Sequence, residues 1–118
     1  MWEVEVTDEI RDWYEDLDAE TQAPIMAAVE HLQQQGPALG RPTVGEVAGS
    51  RIHNLKELRP AGTTIRILFV FDPRRQAILL VGADKAEHGW KEWYPGAIAD
   101  AERLYDEYLE ELRHEGLI

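Results

Sequence analysis

Two apolar stretches joined by a short turn constrain the fold of this chain most strongly. The first, from Thr63 to Phe71, is rich in β-branched and aromatic residues, and the second runs from Gln76 to Gly82. Between them stands Asp72-Pro73-Arg74-Arg75, a sequence typical of a turn. Because so short a connection implies antiparallel neighbours, the sequence predicts two paired strands over residues 63–82.

The segments around this pair predict three helices and two further strands. Residues 2–6 alternate apolar side chains with glutamates, a pattern typical of a strand with one buried face. Apolar residues at helical spacing predict helices over residues 10–17, 18–35 and 97–113. With a strand over residues 52–59, the order is β-α-α-β-β-β-α. We expect an α+β domain whose helices pack on one face of a small, mostly antiparallel sheet.

Residues 36–51 are expected to form a long loop. They contain four glycines and two prolines. A loop of this length in a compact domain is unusual and is often functional. The alternative is that Leu39, Val44 and Val47 simply pin the loop to the core, and the sequence leaves both interpretations open.

Length and composition exclude several classes of protein. With 118 residues the chain suits one domain spanning residues 1–118. It has no cysteine, which excludes disulfide bonds, thiolate catalysis and cysteine-bound zinc. No apolar run approaches the ~20 residues needed to span a bilayer. The acidic start, Met1–Glu5, is unlike a signal peptide, and we expect a cytoplasmic protein.

The charge is distributed unevenly along the chain. Twelve basic and 23 acidic residues give a formal net charge of −11, which argues against general affinity for nucleic acid or an anionic membrane. Eight of the twelve basic residues lie in residues 51–94, where the formal charge is +3. The flanking residues 1–50 and 95–118 carry −9 and −5. If the protein contacts a polyanion, we expect the contact in the middle segment.

Several motifs of the middle segment, taken together, resemble one protein family. His53-Asn54-Leu55-Lys56-Glu57-Leu58-Arg59 is followed by Ile65-Arg66-Ile67-Leu68-Phe69-Val70-Phe71 and then by Asp72-Pro73-Arg74-Arg75. With the order of elements, this combination resembles the RelE/ParE toxin superfamily, and within it the HigB-like branch related to phage Gp49. The resemblance covers nearly the whole chain and is densest from Gly40 to Lys85.

The resemblance implies a toxin of a bacterial type II toxin–antitoxin system, silenced by a small antitoxin that we expect to be a helix-turn-helix protein. RelE-like and HigB-like members cut messenger RNA in the ribosomal decoding site and need no metal. The chain is therefore expected to be a metal-independent endoribonuclease that inhibits translation. ParE-like members of the same fold act on DNA gyrase instead. A third hypothesis, from another class of protein, is a non-catalytic module that binds only an antitoxin and an operator.

Arg66 is the first candidate for catalysis. It stands in an apolar strand, where a guanidinium group is costly unless it has a partner or a task. In RelE-like proteins the matching arginine contacts the scissile phosphate. The alternative is a salt bridge to Glu57 on the adjacent strand. Glu57 is itself a departure from RelE, which carries lysine there: the glutamate has the chemistry of a base, but it removes a cation from the site.

Three further residues match the catalytic region of the family. Lys85 follows the third strand of the middle segment, where RelE-like proteins place a second phosphate-binding cation; the alternative is a solvated loop lysine. Tyr94 falls where RelE has a tyrosine implicated in proton transfer or base stacking, unless it forms a hydrophobic lid with Trp90 and Trp93. His88 titrates near neutral pH and is a candidate general acid or base, or only a surface residue.

Five basic residues are candidates for contacts with the RNA backbone, although each one taken singly fits an ordinary charged surface. They are Lys56, Arg59, Arg74, Arg75 and Lys91. Cleavage through a 2′-hydroxyl selects RNA, because DNA lacks that nucleophile. The four histidines have no metal-ligand spacing and no glycine-rich phosphate loop precedes a helix, so we expect neither a metal site nor a cofactor.

Overall fold

The computed structural model describes residues 1–87 and 89–118. The helices are α1 (Asp8–Glu15), α2 (Ala19–Gln35) and α3 (Trp90–His114). The strands are β1 (Val4–Val6), β2 (Val44–Glu46), β3 (Lys56–Leu58), β4 (Ile65–Phe71) and β5 (Ala77–Asp84). Short 3₁₀ turns follow α2 at Gly36–Ala38 and β5 at Lys85–Glu87. Within the two described ranges, no helix is long and apolar enough to cross a membrane.

The five strands form one mixed sheet in the order β1-β5-β4-β3-β2. β1 runs parallel to β5, and the other three pairings are antiparallel. The predicted α+β class, the mostly antiparallel sheet and the pairing of β4 with β5 are therefore confirmed. The order of elements along the chain is consistent with a RelE-like arrangement.

The segment expected to be a loop over residues 36–51 contains strand β2. These three residues pair with β3, with Val44 opposite Leu58. Glycine and proline are depleted in strands, so this glycine- and proline-rich sequence is typical of a loop, and only the pairing reveals β2. Val44 is buried, and Leu39 and Val47 pack against the two core clusters. The residues named as pins therefore do anchor this segment to the protein interior.

Side-chain caps set the starts of the first two helices. The Thr7 hydroxyl oxygen accepts the backbone N–H of Ile10 at 3.1 Å, and the Asp18 carboxylate accepts that of Thr21 at 2.8 Å. Such caps satisfy N–H groups that have no partner inside the helix, and each stabilises a protein by about 1 kcal/mol. Thr7 also donates its hydroxyl proton to the carbonyl oxygen of Leu80 at 2.8 Å, which ties α1 to strand β5.

The central strands β4 and β5 are apolar on both faces. In β4, Ile67 and Phe69 pack in the cluster formed with α1 and α2, whereas Leu68 and Val70 pack in the cluster formed with α3. In β5, residues 77–80 alternate in the same way, and an irregularity in the register then places Val81 on the same face as Leu80. The prediction that all helices pack on one face is therefore wrong. Because successive residues of a strand point to opposite sides, two continuously apolar strands need helical cover on both faces.

Helix α3 begins at Trp90, seven residues before the predicted start at Ala97. Pro95 lies inside the helix, in its second turn. A proline there removes one helical hydrogen bond, and the carbonyl group that loses its partner belongs to Lys91, which is exposed to solvent. The early start matters for function, because it places Tyr94 on a helix rather than in a loop.

Gly82 allows α1 to approach the sheet closely. An ideal Cβ atom at this position would lie 2.6 Å from Cζ3 of Trp13, well inside van der Waals contact. Trp13 is partly buried and packs against the cluster shared with α1 and α2. The indole ring therefore occupies the space that any side chain at residue 82 would need.

The change Gly82→Ala is expected to destabilise the protein by about 1–3 kcal/mol, because the added methyl group must displace the Trp13 ring. Urea unfolding measures this free energy. Gly96→Ala is the matched control: it lies in α3, and its Cβ would meet nothing within 4 Å. That change is expected to stabilise the protein by about 0.5–1 kcal/mol, since alanine is the better helix former. Equal effects of the two changes would contradict the close approach.

Candidate active site

A buried carboxylate lies at the centre of the candidate site. Glu57 is the middle residue of β3 and is only 3% exposed. It stands opposite Leu68 of β4, on the face of the sheet that α3 covers. Since burying an unpaired carboxylate costs several kcal/mol, Glu57 needs partners in this position.

Three side chains supply these partners. Nε of Arg59 donates to Oε1 of Glu57 at 2.9 Å, and Nε of Arg66 lies 3.5 Å from the same oxygen. The hydroxyl group of Tyr94 donates to Oε2 at 2.6 Å. Gly45 makes room for Arg59, because a Cβ at residue 45 would collide with the guanidinium group. Strands β3 and β4 and helix α3 thus converge on one carboxylate.

Arg66 is positioned by backbone contacts as well as by charge. Its Nη1 donates to the carbonyl oxygen of Ile65 at 2.7 Å, and its side chain is 14% exposed. Its Nε is buried, and within the described residues it has no hydrogen-bond partner. The salt bridge to Glu57, which the sequence offered as the alternative role of Arg66, is present. A guanidinium held this way keeps donors available for an incoming anion.

Lys85 belongs to the same group of charges. It is 1% exposed, and its backbone N–H donates to the carbonyl oxygen of Thr64 at 3.2 Å. Burial lowers the pKa of Lys85, and the positive charge of Arg66 lowers it further, whereas Glu57 raises it. The alternative that Lys85 is a solvated loop residue is therefore wrong. Because little water screens the positive charge of Lys85, that charge interacts strongly with the other charged side chains of the group.

Tyr94 closes the site from the side of α3. Burial, and after it the hydrogen bond to Glu57, raises the pKa of Tyr94 from 10 to about 12. The neighbouring Trp93 packs edge-on against its ring, with 4.9 Å between ring centroids, and belongs to the α3 core cluster. Two members of the suggested lid, Trp93 and Tyr94, are therefore in contact, the Trp90 side chain lies outside the description, and the Tyr94 hydroxyl bonds to the charged group beneath it.

We call these five residues the cation cluster: Glu57, Arg59, Arg66, Lys85 and Tyr94. Its three basic side chains and one carboxylate give a formal charge of +2, in a chain whose total is −11. A buried excess of positive charge beside a phenol is suited to bind an oxyanion and to move a proton near it. The sequence named Arg66, Lys85 and Tyr94 for catalysis, and the structure brings these three together.

The other predicted residues are distributed differently. Arg74 and Arg75 follow the far end of β4, about 16 Å or more from Arg66 at 3.3 Å per residue. Arg74 contacts Asp72, Tyr108 and Glu5, and Arg75 lies over the Trp2 ring. Lys56 shares the register position of Phe69, on the α1 and α2 face. These three cations are therefore not part of the cluster.

Lys91 and His88 complete the set of predicted residues. Lys91 is exposed on the first turn of α3, one helical turn before Tyr94. His88 lies outside the described residues. Within those residues, no group of three or more histidine and acidic side chains is arranged to hold a metal ion.

Sequence reasoning gave Glu57 too small a role. It treated the residue as a departure from RelE and as a possible partner of Arg66, whereas the carboxylate holds three side chains from three elements. The spacing of Glu57 and Arg59, two residues apart in a strand, places both on one face and was the available signal. The contribution of Tyr94 had no such signal, because it depends on where α3 begins.

Comparison with known proteins identifies the family. The profile of the phage-derived protein Gp49-like family matches residues 12–106. The chain belongs to this family. It is 48% identical over 101 residues to the candidate toxin HigB3 of Mycobacterium tuberculosis. The aligned residues make up 86% of this chain and 88% of that protein.

A second relative supports the same assignment. The chain is 45% identical over 111 residues to the candidate toxin HigB2 of Mycobacterium tuberculosis, covering 92% of this chain but only 54% of that longer protein. The resemblance to HigB-like toxins that the sequence motifs indicated is thereby confirmed. The protein is a HigB-like toxin of the toxin–antitoxin class.

The change Tyr94→Phe is expected to lower the free energy of unfolding by about 1.5–3 kcal/mol near neutral pH, since it removes a hydrogen bond to a charged group. The folded protein holds the Tyr94 proton more tightly than the unfolded chain, because the pKa is raised from 10 to about 12. This stabilisation is complete below pH 10 and is lost as the pH rises towards 12.

Urea unfolding of both proteins at pH 8, 10 and 11 tests this prediction. The difference between wild type and Tyr94→Phe is expected to shrink at pH 11. Tyr14→Phe serves as the control, because within the described residues the Tyr14 hydroxyl makes no hydrogen bond. A difference for Tyr94 that stays constant from pH 8 to pH 11 would contradict the prediction.

Proposed function

We propose that the protein cuts messenger RNA on the ribosome and thereby stops translation. The observation that carries this proposal is the cation cluster: buried positive charge next to a tyrosine hydroxyl, in a chain that is otherwise strongly acidic. Membership of the HigB-like toxins supports the same proposal. The names of the relatives do not state a reaction, so the proposed chemistry follows from the residues of the site.

Cleavage of RNA without a cofactor makes three demands. A base must take the proton of the 2′-hydroxyl as its oxygen attacks the adjacent phosphorus, and an acid must protonate the leaving 5′-oxygen. Positive charge must stabilise the phosphorane in between. The products are a 2′,3′-cyclic phosphate and a free 5′-hydroxyl, so the protons balance and no water is consumed.

We assign the phosphate to Arg66, whose side chain is 14% exposed, and we assign to the buried Lys85 the positive charge behind it. Glu57 holds the Arg66 guanidinium through Nε, and Nη1 donates to the carbonyl oxygen of Ile65, so in this proposal Nη2 is the donor left for the phosphate. Burial lowers the pKa of Lys85, and the positive charge of Arg66 lowers it further; an arriving phosphate would offset that repulsion. Binding the phosphate would therefore stabilise the charged form of Lys85.

We assign the first proton transfer to Tyr94 acting with Glu57. The Glu57 carboxylate is too deeply buried to reach a substrate, but the Tyr94 hydroxyl is half-buried and already donates to it. As Tyr94 accepts the 2′-hydroxyl proton, its own proton passes to Oε2 of Glu57. We assign the proton for the leaving oxygen to His88, which the sequence offers as a general acid or base. In this scheme Glu57, at the position where RelE carries lysine, is the final proton acceptor.

The partners follow from the toxin class and from the charge. We propose a cytoplasmic protein whose cognate antitoxin, a small helix-turn-helix protein, binds and silences it. The ribosome and the messenger RNA are the targets. With a total charge of −11, the protein has little general affinity for RNA, so the ribosome must supply much of the alignment. Of the predicted backbone contacts, Arg59 belongs to the cluster, and Lys91 lies one helical turn before Tyr94.

A second candidate function rests on the same carboxylate. Because Glu57 pairs with both Arg59 and Arg66, part of the positive charge is neutralised within the protein. A non-catalytic module that binds only an antitoxin and an operator would tolerate such pairing. Inhibition of DNA gyrase by a toxin of this fold is a further alternative, which the same experiment separates.

Induction of the protein in bacteria, followed by mapping of messenger 5′ ends over the first minutes, tests the proposal. New ends inside translated codons are expected. Arg66→Ala is expected to reduce their rate of appearance at least about a hundredfold, because it removes charge stabilisation from the transition state. Arg103→Ala is the matched control, since Arg103 is an exposed arginine of α3 that pairs only with Asp100 and Glu107 in the described chain.

The other outcomes of the induction experiment would indicate a different function. Growth arrest with DNA damage and without new messenger ends would indicate a gyrase inhibitor. A folded, soluble protein that causes no arrest would indicate the non-catalytic module. Full activity of Arg66→Ala would contradict the role given to this arginine, while leaving the nuclease itself in place.

A further inference from the structure

The chain leaves β5 through a short turn that carries Lys85 into the cation cluster. Asp84 is the last residue of the strand, and the 3₁₀ turn Lys85–Glu87 follows it directly. Within this turn Lys85 is 1% exposed, whereas Ala86 and Glu87 are exposed. A lysine ordinarily extends its charged end into water. A buried lysine in a surface turn therefore depends on contacts that fix its backbone.

Asp84 supplies such contacts through one carboxylate oxygen. Its Oδ1 accepts the backbone N–H of Ala86 at 3.0 Å and the hydroxyl of Thr64, the residue before β4, at 2.5 Å. The backbone N–H of Lys85 donates to the carbonyl oxygen of Thr64 at 3.2 Å. We call these three hydrogen bonds the Asp84 clasp. The clasp closes the turn and at the same time ties it to the beginning of β4.

Neighbouring backbone groups hold the two cations that the proposed reaction uses. The carbonyl oxygen of Thr64 accepts the N–H of Lys85, and that of Ile65 accepts Nη1 of Arg66 at 2.7 Å. Thr64 and Ile65 are consecutive residues where β4 begins. The placement of Lys85 behind Arg66 therefore depends on one short segment, which the Asp84 clasp holds against the end of β5.

Asp84 acts on the backbone around Lys85 rather than on its ammonium group. Burial lowers the pKa of Lys85 most, and the charged groups that also shift it are Arg66, Glu57 and Arg59. The contacts of the Asp84 carboxylate are instead with a backbone N–H and a hydroxyl. Asparagine carries an acceptor oxygen in the same place and forms the same kind of turn, so it should hold the clasp without the charge.

We propose that Asp84 is a positioning residue for RNA cleavage: its carboxylate holds the turn that keeps Lys85 behind Arg66. The inference rests on the proposed nuclease function and adds to it a residue that touches no substrate. Without the carboxylate, the Ala86 N–H and the Thr64 hydroxyl lose their acceptor. The turn then keeps one of the three bonds of the clasp, and Lys85 is free to move towards solvent.

Chemical labelling of lysine side chains tests where Lys85 lies. The chain contains three lysines, and Lys56 and Lys91 are both more exposed than Lys85. An N-hydroxysuccinimide ester is expected to acylate Lys85 of the wild type at least about tenfold more slowly than Lys91, because a buried amine reacts only when the structure opens locally. Asp84→Ala is expected to raise the rate at Lys85 at least about tenfold. Asp84→Asn is expected to leave it unchanged, and mass spectrometry of peptides measures the three lysines together.

Cleavage on ribosomes stalled with an open decoding site measures the consequence for the reaction. Asp84→Ala is expected to lower kcat by roughly tenfold to a hundredfold, because a displaced charge stabilises the transition state less. Asp84→Asn is expected to cut like the wild type. Rescue by this conservative variant separates the acceptor oxygen of Asp84 from its charge.

Two further variants serve as the control and as the replacement. Asp18→Ala is the matched control, since this carboxylate also accepts a backbone N–H, that of Thr21 at the start of α2. It is expected to change neither the labelling of Lys85 nor cleavage. Thermal unfolding shows whether each variant is folded. Thr64→Val removes one bond of the clasp at an exposed position, and it is expected to change labelling and cleavage in the same direction if Asp84→Ala does not fold.

The remaining outcomes overturn the inference. If Lys85 reacts as slowly in Asp84→Ala as in the wild type, the carboxylate does not hold the turn. If Asp84→Asn behaves like Asp84→Ala, the charge of Asp84 matters rather than its acceptor oxygen. If the labelling of Lys85 rises while cleavage is unchanged, the position of Lys85 does not affect the reaction, although the proposed function stands. If the wild type cuts no messenger RNA on the ribosome, the proposed function fails first, and the role of Asp84 in cleavage falls with it, whatever the labelling shows.

Discussion

The double-sided burial of strands β4 and β5 is the constraint on which the rest of the structure depends. Alternate residues of these strands pack into two separate apolar clusters, so neither face of the sheet can be left to water. Helices α1 and α2 cover one face, and α3 must cover the other. Burying each large side chain stabilises the protein by about 1.5–3 kcal/mol, so exposing either face of the sheet to water would be strongly destabilising.

The candidate site is a consequence of that division. Glu57 points to the α3 face because Leu58 beside it points to the other. Once α3 lies over that face, Tyr94 meets the carboxylate, and Arg59 and Arg66 complete its partners. Removing one member would leave the others with uncompensated charge in a weakly screened environment, so the cluster is held together as a unit.

Several elements could be read from the sequence because the information lies in neighbouring residues. The turn at Asp72–Arg75, the alternation of residues 2–6 and the apolar spacing of α2 each depend on a few neighbouring positions. The start of α3 was misplaced because Pro95 and Gly96 disfavour a helix locally, and packing against the sheet outweighs that preference. Strand β2 was missed because the glycine- and proline-rich sequence around it is typical of a loop.

By itself the sequence determined the class of fold, the concentration of positive charge in residues 51–94 and the resemblance to HigB-like toxins. It also supplied Arg66, Lys85 and Tyr94 as candidates. Only the tertiary structure decided that these residues meet, that Glu57 links two of them, and that Arg74 and Arg75 lie at the other end of the sheet. The physical reason is that burial and charge pairing act between residues distant in the chain, and local patterns do not encode which of them become neighbours.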